Sequence, residues 1–434
     1  MKIGIIGAGF AGLAAADDLR QAGNEVVVFE AAAAVGGLAA GFRAQSWSAE
    51  IEKHYHHIFT TDTAVRKWLA DLGLHQALEF RRVRTATLQE GGIRSLDSVM
   101  SLLRYQPLSW LGRWRMGLGL ALLKFWPWGV QLDRFSAAAW IKPVMGAEVW
   151  QKIWRPLFVG KFGRFAEKIN LAWFWARIVA RSAELGYYQG GFGELARLIA
   201  AKLVTRGVKF HLKTPVESLN FDQTSFEVVT RLGREKFDQI LVAAESGVAQ
   251  KLLAPLVKTS AQKSWLAQTK KLQGLGAKTL VLELDRPFFR DATYWLNINE
   301  SGWPFLAVVE QTQLTGRQKY AGHTIVYVAK YGETSGVRGQ AWFGRTATDL
   351  LTEYTPYLKQ LAPDFETHLI NSWVFDAKFA QPLVFTNHRL LVPQIATPWP
   401  KVFWASMQQV YPWDRGINFA VAIGRTAAQA MLQE

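Results

Sequence analysis

The chain opens on an apolar run, Lys2 to Ile6, interrupted by Gly7-Ala8-Gly9-Phe10-Ala11-Gly12 and followed by an Ala- and Leu-rich stretch from Phe10 to Ala22. A short apolar run bounded by glycine reads as a buried strand. The stretch after it, closed by Gly23-Asn24, reads as a helix with its stop signal. A second apolar run, Glu25 to Phe29, ends on Glu30 and completes a βαβ unit. The pattern returns further along. An amphipathic helix is predicted from Gly193 through Leu203, with strands near Lys209–Leu212, Val216–Leu219, Phe226–Thr230 and Gln239–Ala244. Val402–Ala405 reads as a strand, and Gly416-Ile417-Asn418-Phe419 starts a terminal helix running through Gly424. Between these segments lie a mainly helical block, Asp62 to Gly186, an alternation of strands with Gly and Pro turns from Lys278 to Tyr331, and a helix over Thr346–Leu361.

The opening glycines have the spacing of a dinucleotide-binding turn. Gly7 allows the tight bend, Gly9 lets a pyrophosphate approach the backbone, and Gly12 lets helix and strand pack closely. Phosphate charge is favoured at the helix N-terminus, where Phe10 and Ala11 begin the first turn. Glu30 stands 18 residues beyond Gly12 at the end of the second strand, where a carboxylate accepts from a ribose diol. Gly117-Leu118-Gly119 and Gly274-Leu275-Gly276 both lack the third glycine. No second dinucleotide site is therefore expected, and electrons taken up by a redox cofactor bound here would go to oxygen, a quinone or another acceptor.

Directly after Glu30 come Ala31 to Val35 and then Gly36-Gly37-Leu38, and here the sequence resembles the flavin amine oxidase superfamily, including protoporphyrinogen oxidase and phytoene desaturase and, more distantly, UDP-galactopyranose mutase. The resemblance implies non-covalent FAD. It sets Gly36 and Gly37 against the diphosphate and ribityl chain, Val216 at the adenine, Ala243 and Ala244 near the diphosphate, and Gly416, Ile417 and Asn418 at the flavin pyrimidine. Leu38 stands where many members carry Arg, so Arg43 is the substitute contact. Ser406-Met407 replaces an acidic residue found in many members, and Asp414 is not expected to take its place. The fold class expected is α/β, with a discontinuous Rossmann-like FAD-binding domain over residues 1–61, 187–255 and 381–434. An α+β substrate domain completes it, with a helical part at 62–186 and a sheet and helix at 256–380.

Candidate catalytic residues cluster in Glu52 to Thr61, which holds three of the eight histidines. If the segment is a strand, His54 and His56 share one face and His57 the other, which argues against a metal site. His57-Ile58-Phe59 is similar to a stretch that runs beside the isoalloxazine in the mutases. His56 and His57 are candidates for tuning the flavin or moving protons, and hydrogen-bonded scaffolding is the competing role. Lys278 is a third candidate, by resemblance to the amine oxidase Lys that holds a water at the flavin. Counting back from Pro287-Phe288, however, the matching slot is Thr279.

Composition narrows the partners. The 434 residues contain no Cys, which removes disulfides, thiolate metal sites and a thioether-linked flavin. A net charge of +15 favours an anionic partner, and without a recognition motif or basic tail nucleic acid is not expected. Met1-Lys2 and the apolar run up to Ala16 do not form a signal peptide, because Asp17-Asp18 follows directly, so a cytoplasmic protein is expected. Residues 102–130 are rich in Leu and Trp with Arg104, Arg113, Arg115 and Lys124 among them, and the apolar run Met116–Leu123 is too short to span a bilayer. Either this segment lies on the inner face of an anionic membrane or it packs as a helix pair in the substrate domain. Trp150, Trp154, Trp173, Phe174 and Trp175 suit the lining of a large apolar substrate, or ordinary core. The function expected is hydride transfer from a lipophilic, cyclic or lipid-linked small molecule to FAD. A redox-neutral flavin-dependent sugar mutase and a non-catalytic FAD-binding protein are the alternatives.

Overall fold

The computed structural model describes residues 1–222, 224–334 and 342–434. Five short strands form a parallel sheet in the order 209–211, 25–29, 2–6, 239–242, 402–404. They come from three distant stretches of chain, so the nucleotide-binding layer is discontinuous. Their runs are largely apolar because both faces are covered, as parallel strands require. On one face, the helices Phe10–Gln21 and Ile417–Leu432 pack so closely that a Cβ at Gly424 would strike the Ala11 carbonyl. On the other lie Val216, Leu219, Phe226, Val228 and Phe237, with Trp265 and Trp404; these include the core of an antiparallel ribbon of strands Ser218–Phe221, Phe226–Thr230 and Gly233–Phe237.

A second, seven-stranded sheet is built around the strands Gly274–Leu284, Thr324–Gly332, Ala307–Glu310 and Thr293–Ile298, with Leu369–Pro382 at one edge. The helix Ala347–Leu361, capped by Thr346, covers one face through Leu350, Tyr354 and Leu358. The helical layer has its own core, in which Trp150, Phe158, Phe162, Trp173, Phe174 and Trp175 pack together. Of the five aromatics expected as a substrate lining or as core, Trp150, Trp173, Phe174 and Trp175 are core, and Trp154 packs half-buried against them.

Three expectations need correction. The block 62–186 is not helical throughout: after the helix Thr63–Asp71, Leu78–Arg82 pairs with Glu184–Tyr188 as strands, and Arg84–Gln89 and Gly92–Ser95 extend the seven-stranded sheet. Burial and non-local pairing decided these short segments, which local periodicity cannot separate from helix. The strands Glu184–Tyr188 and Leu369–Pro382 run across the expected boundaries at 186 and 380. Finally, residues 53–57 form no strand but a bend between Ile51–Glu52 and Ile58–Phe59, so alternation of faces does not place the histidines. Residues 335–341, inside the expected 256–380 block, lie outside the described residues.

Candidate active site

Gly7 adopts φ 112°, and a Cβ there would sit 2.5 Å from the Ala243 carbonyl oxygen, so the first turn presses against the end of strand 239–242. A Cβ on Gly12 would collide with the Gly7 carbonyl. Gly9 differs: its φ of −71° suits any residue, and an added Cβ would meet only the Gly37 Cα, at 3.9 Å. The space over Gly9 is thus open from the protein side. The helix Phe10–Gln21 has no side-chain cap, which leaves the amides of its first turn for an anion. Gly36 N–H donates to the Ala8 carbonyl at 2.9 Å, joining the Gly pair to the first turn. Glu30 receives the Ala8 and Ala32 N–H groups, one on each oxygen, at 2.8 Å. Its remaining lone pairs are available to a ribose. The Thr214 amide binds the Glu30 carbonyl at 2.8 Å, setting buried Val216 beside this strand end. The cradle fits a dinucleotide, with open space where its diphosphate would lie.

The other resemblance-based positions fall as follows. Trp404 Nε1 donates to the Ala244 carbonyl at 2.9 Å. Leu38 packs towards Ala277, Ala377 and Ala380 of the large sheet. Arg43 is exposed. Ser406 caps the turn Met407–Gln409, so its hydroxyl is already engaged. Gly416 precedes the terminal helix with no side-chain cap, and Asn418 Oδ1 accepts from the Val65 amide at 3.1 Å.

The bend at 53–57 leads into a second region. His54 Nδ1 lies 2.8 Å from Thr279 Oγ1, and His56 Nδ1 lies 2.6 Å from the His54 carbonyl. His57 stands edge-on to Phe59 and Trp295, and its Nδ1 is buried without a partner among the described residues. Burial lowers His54 and His57 to about 3 and His56 to about 4. All three are therefore neutral near pH 7, and a titration of His57 close to neutrality is not what this setting produces. The side chains nevertheless remain partly open to solvent, the combination expected for groups lining a deep recess. Lys278 does not join them. Its ammonium lies 2.6 Å from Asp376 Oδ1, its cross-strand partner, while Thr279, one residue on, faces His54.

Two features escaped sequence reasoning. Glu52 is fully buried, accepting from the Phe192 amide at 2.5 Å and the Tyr187 hydroxyl at 2.9 Å, and burial pushes its carboxyl up to about 7. Asp414 pairs with Arg177 and lies 3.3 Å from Lys161 Nζ and 4.0 Å from Arg415. Burial raises its pKa, but these cations outweigh that and hold the carboxyl well below its usual range. Asp414 is thus committed to the cation cluster. Arg177 and Arg181, one turn apart after a Trp-rich run, were the visible signal.

A parallel sheet with a glycine cradle at its strand ends, accompanied by a seven-stranded mixed sheet, defines a Rossmann-type dinucleotide-binding fold with a second, sheet-based layer. The chain belongs to the flavin containing amine oxidoreductase family, whose model matches residues 10–432. A Mycobacterium tuberculosis protein named as a flavin-containing monoamine oxidase, AofH, is 32% identical over 149 residues. That alignment covers 32% of this chain and 32% of the relative, so the chain spans about a third of the curated relative it matches. A structure named as a protoporphyrinogen oxidase from Exiguobacterium sp. 255-15 superimposes with TM-score 0.78 at 15% identity, covering 100% of this chain and 99% of that one. Cyclohexylamine oxidase from Brevibacterium oxydans IH-35A gives TM-score 0.71 at 17% identity, covering 100% and 98%. Among the described residues no helix is long and apolar enough to cross a membrane, and no group of three or more His, Cys, Asp or Glu is placed to hold a metal.

Proposed function

We propose that the flavin is FAD, held without a covalent bond, and that the chain oxidises a lipophilic small molecule by hydride transfer to it. The observation that carries this is the cradle of Gly7, Gly9, Gly36 and Gly37 with Glu30, which has room for one diphosphate and a carboxylate for one ribose. FAD supplies the hydride acceptor. The protein's part is to hold the diphosphate at the uncapped helix start, to bind the ribose through Glu30, and to keep neutral imidazoles along the recess. His57, lacking a partner at Nδ1, is available to hydrogen-bond a bound molecule. Purified protein is expected to be yellow and to release all its flavin on denaturation, and Glu30→Arg should weaken FAD by losing the ribose bonds. Flavin retained on the denatured polypeptide would overturn non-covalent binding; undiminished FAD affinity in Glu30→Arg would overturn the ribose assignment.

A membrane-surface reading has its own observation. On the helix Trp110–Phe125, Trp110, Trp114, Leu118 and Leu122 recur every fourth residue and form an outward stripe, with Leu118 62% and Phe125 83% exposed. Trp126 and Trp128 continue it, and Arg113, Arg115 and Lys124 flank it. An exposed stripe of this kind on a chain of net charge +15 suits the headgroup layer of an anionic bilayer. The protein is expected to sediment with phosphatidylglycerol-containing vesicles and less with pure phosphatidylcholine. Leu118→Ser with Phe125→Ser should weaken that binding by about 100-fold or more, at ~1.5–3 kcal/mol per large apolar side chain. Equal sedimentation of wild type and double variant would remove the surface.

A further inference from the structure

The recess beside the histidine bend carries more positive charge than its protein partners neutralise. Arg177 and Arg181 stand one turn apart at the end of the helix Leu171–Ala180, and the positive charge of both disfavours protonation of His57. Arg415, just before the terminal helix, binds the Tyr331 hydroxyl and Gln381 Oε1, and its charge disfavours protonation of His54 and His56. Among the described residues, Asp414 is the one carboxylate in salt-bridge reach of Lys161, Arg177 and Arg415, and Arg181 forms no salt bridge. Three guanidinium groups against one carboxylate leave two positive charges unbalanced even with Lys161 neutral. Burial pulls Arg181 down to about 10, yet its side chain remains open to solvent, as at the wall of a recess.

Charges in a partly buried site are screened less than in open water, so the sign of the excess charge matters. The sign is unfavourable for an incoming ammonium and favourable for an oxyanion. Guanidinium pairs are also the geometry that takes carboxylate and phosphate oxygens through parallel hydrogen bonds. His57 Nδ1, buried and without a partner, lies at the same end of the recess. We infer that the substrate of this family member carries an oxyanion, a carboxylate or a phosphate, seated by Arg177 and Arg181, and that protonated amines are excluded from the recess. The inference rests on the oxidoreductase reading only in treating the bound molecule as substrate.

The test titrates the flavin-loaded protein with decanoate, decyl phosphate, decanol and decylamine, followed by calorimetry and by the flavin difference spectrum. The two anions are expected to bind at least about tenfold more tightly than decanol, and decylamine more weakly than decanol. The order of decanoate and decyl phosphate identifies which oxyanion the site prefers. Arg181→Gln, at an open position, should abolish most of the anion preference without changing flavin content or decanol affinity, and Arg181→Lys should restore part of it. Decylamine binding as tightly as decanoate, or unchanged anion affinity in Arg181→Gln and Arg177→Gln, would overturn the proposal. A shift of flavin potential in these variants with no change in anion affinity would also overturn it, assigning the cations to the flavin. Colourless protein would sink the FAD reading instead, while calorimetry with the same four amphiphiles would still report on the oxyanion site.

Discussion

Replacing Gly9 with valine is expected to give a folded, colourless protein. Gly9 has an ordinary φ of −71°, and a Cβ there would meet nothing nearer than the Gly37 Cα at 3.9 Å, so the substitution costs the ligand-free fold little. The branched side chain instead occupies the open space over the uncapped helix start, where the diphosphate would lie. Overpacking of about 1–3 kcal/mol together with lost phosphate hydrogen bonds corresponds to a loss of FAD affinity of roughly 100-fold or more. Gly12→Val is the contrasting variant. Its Cβ would drive into the Gly7 carbonyl and separate helix from strand, so expression and thermal stability should fall along with cofactor content. Flavin absorbance per mole of protein, read beside circular dichroism, distinguishes the two. Stoichiometric flavin in Gly9→Val would remove the cradle as the diphosphate site.

The second large effect concerns Glu52, whose carboxyl is raised by burial to about 7 from its ordinary 4.5. A raised carboxyl means that the folded protein holds this proton more tightly than the unfolded chain. The contribution to stability is complete below about pH 4.5 and is lost as pH rises through 7. A shift of this size corresponds to about 3 kcal/mol in total, as an order of magnitude. Glu52→Gln keeps an acceptor for the Phe192 amide and removes the titration. Between about pH 5 and pH 8 the wild-type protein is therefore expected to lose most of that stability relative to the variant. Asp62, raised to about 6, and Glu310, raised to about 7, slope the same way, while the lowered histidines slope oppositely. All of these are common to both proteins and cancel in the comparison. Parallel stability curves across this range would mean that Glu52 does not titrate there.

The glycine cradle was legible in the amino-acid order because its requirements are local. Only glycine tolerates φ 112° at residue 7 beside the Ala243 carbonyl, and the strand, turn and helix that surround it follow in unbroken sequence. The same locality made the strands at 2–6, 25–29, 226–230 and 239–242 and the helices beginning near 10, 192 and 347 readable from apolar runs and caps. The carboxylate end of that cradle, Glu30, was readable for the same reason, as the terminus of the next strand.

The recess was not legible in this way, because its groups are brought together by pairing across long stretches of chain. His54 meets Thr279, Glu52 meets Tyr187 and the Phe192 amide, and Asp414 meets Lys161 and Arg177. Strand register, a property of the folded sheet, turned Lys278 to Asp376 and Thr279 to the histidines. The bend at 53–57 replaced an expected strand: no ladder pairs these residues, His54 is held by distant Thr279, and His56 turns back on the His54 carbonyl. The sequence by itself determined the nucleotide-binding βαβ unit and the family resemblance, since both depend on residue types at fixed short spacings. The tertiary structure decided the charge of the recess and the protonation of its groups, because burial and the arrangement of like charges exist only once distant segments have packed.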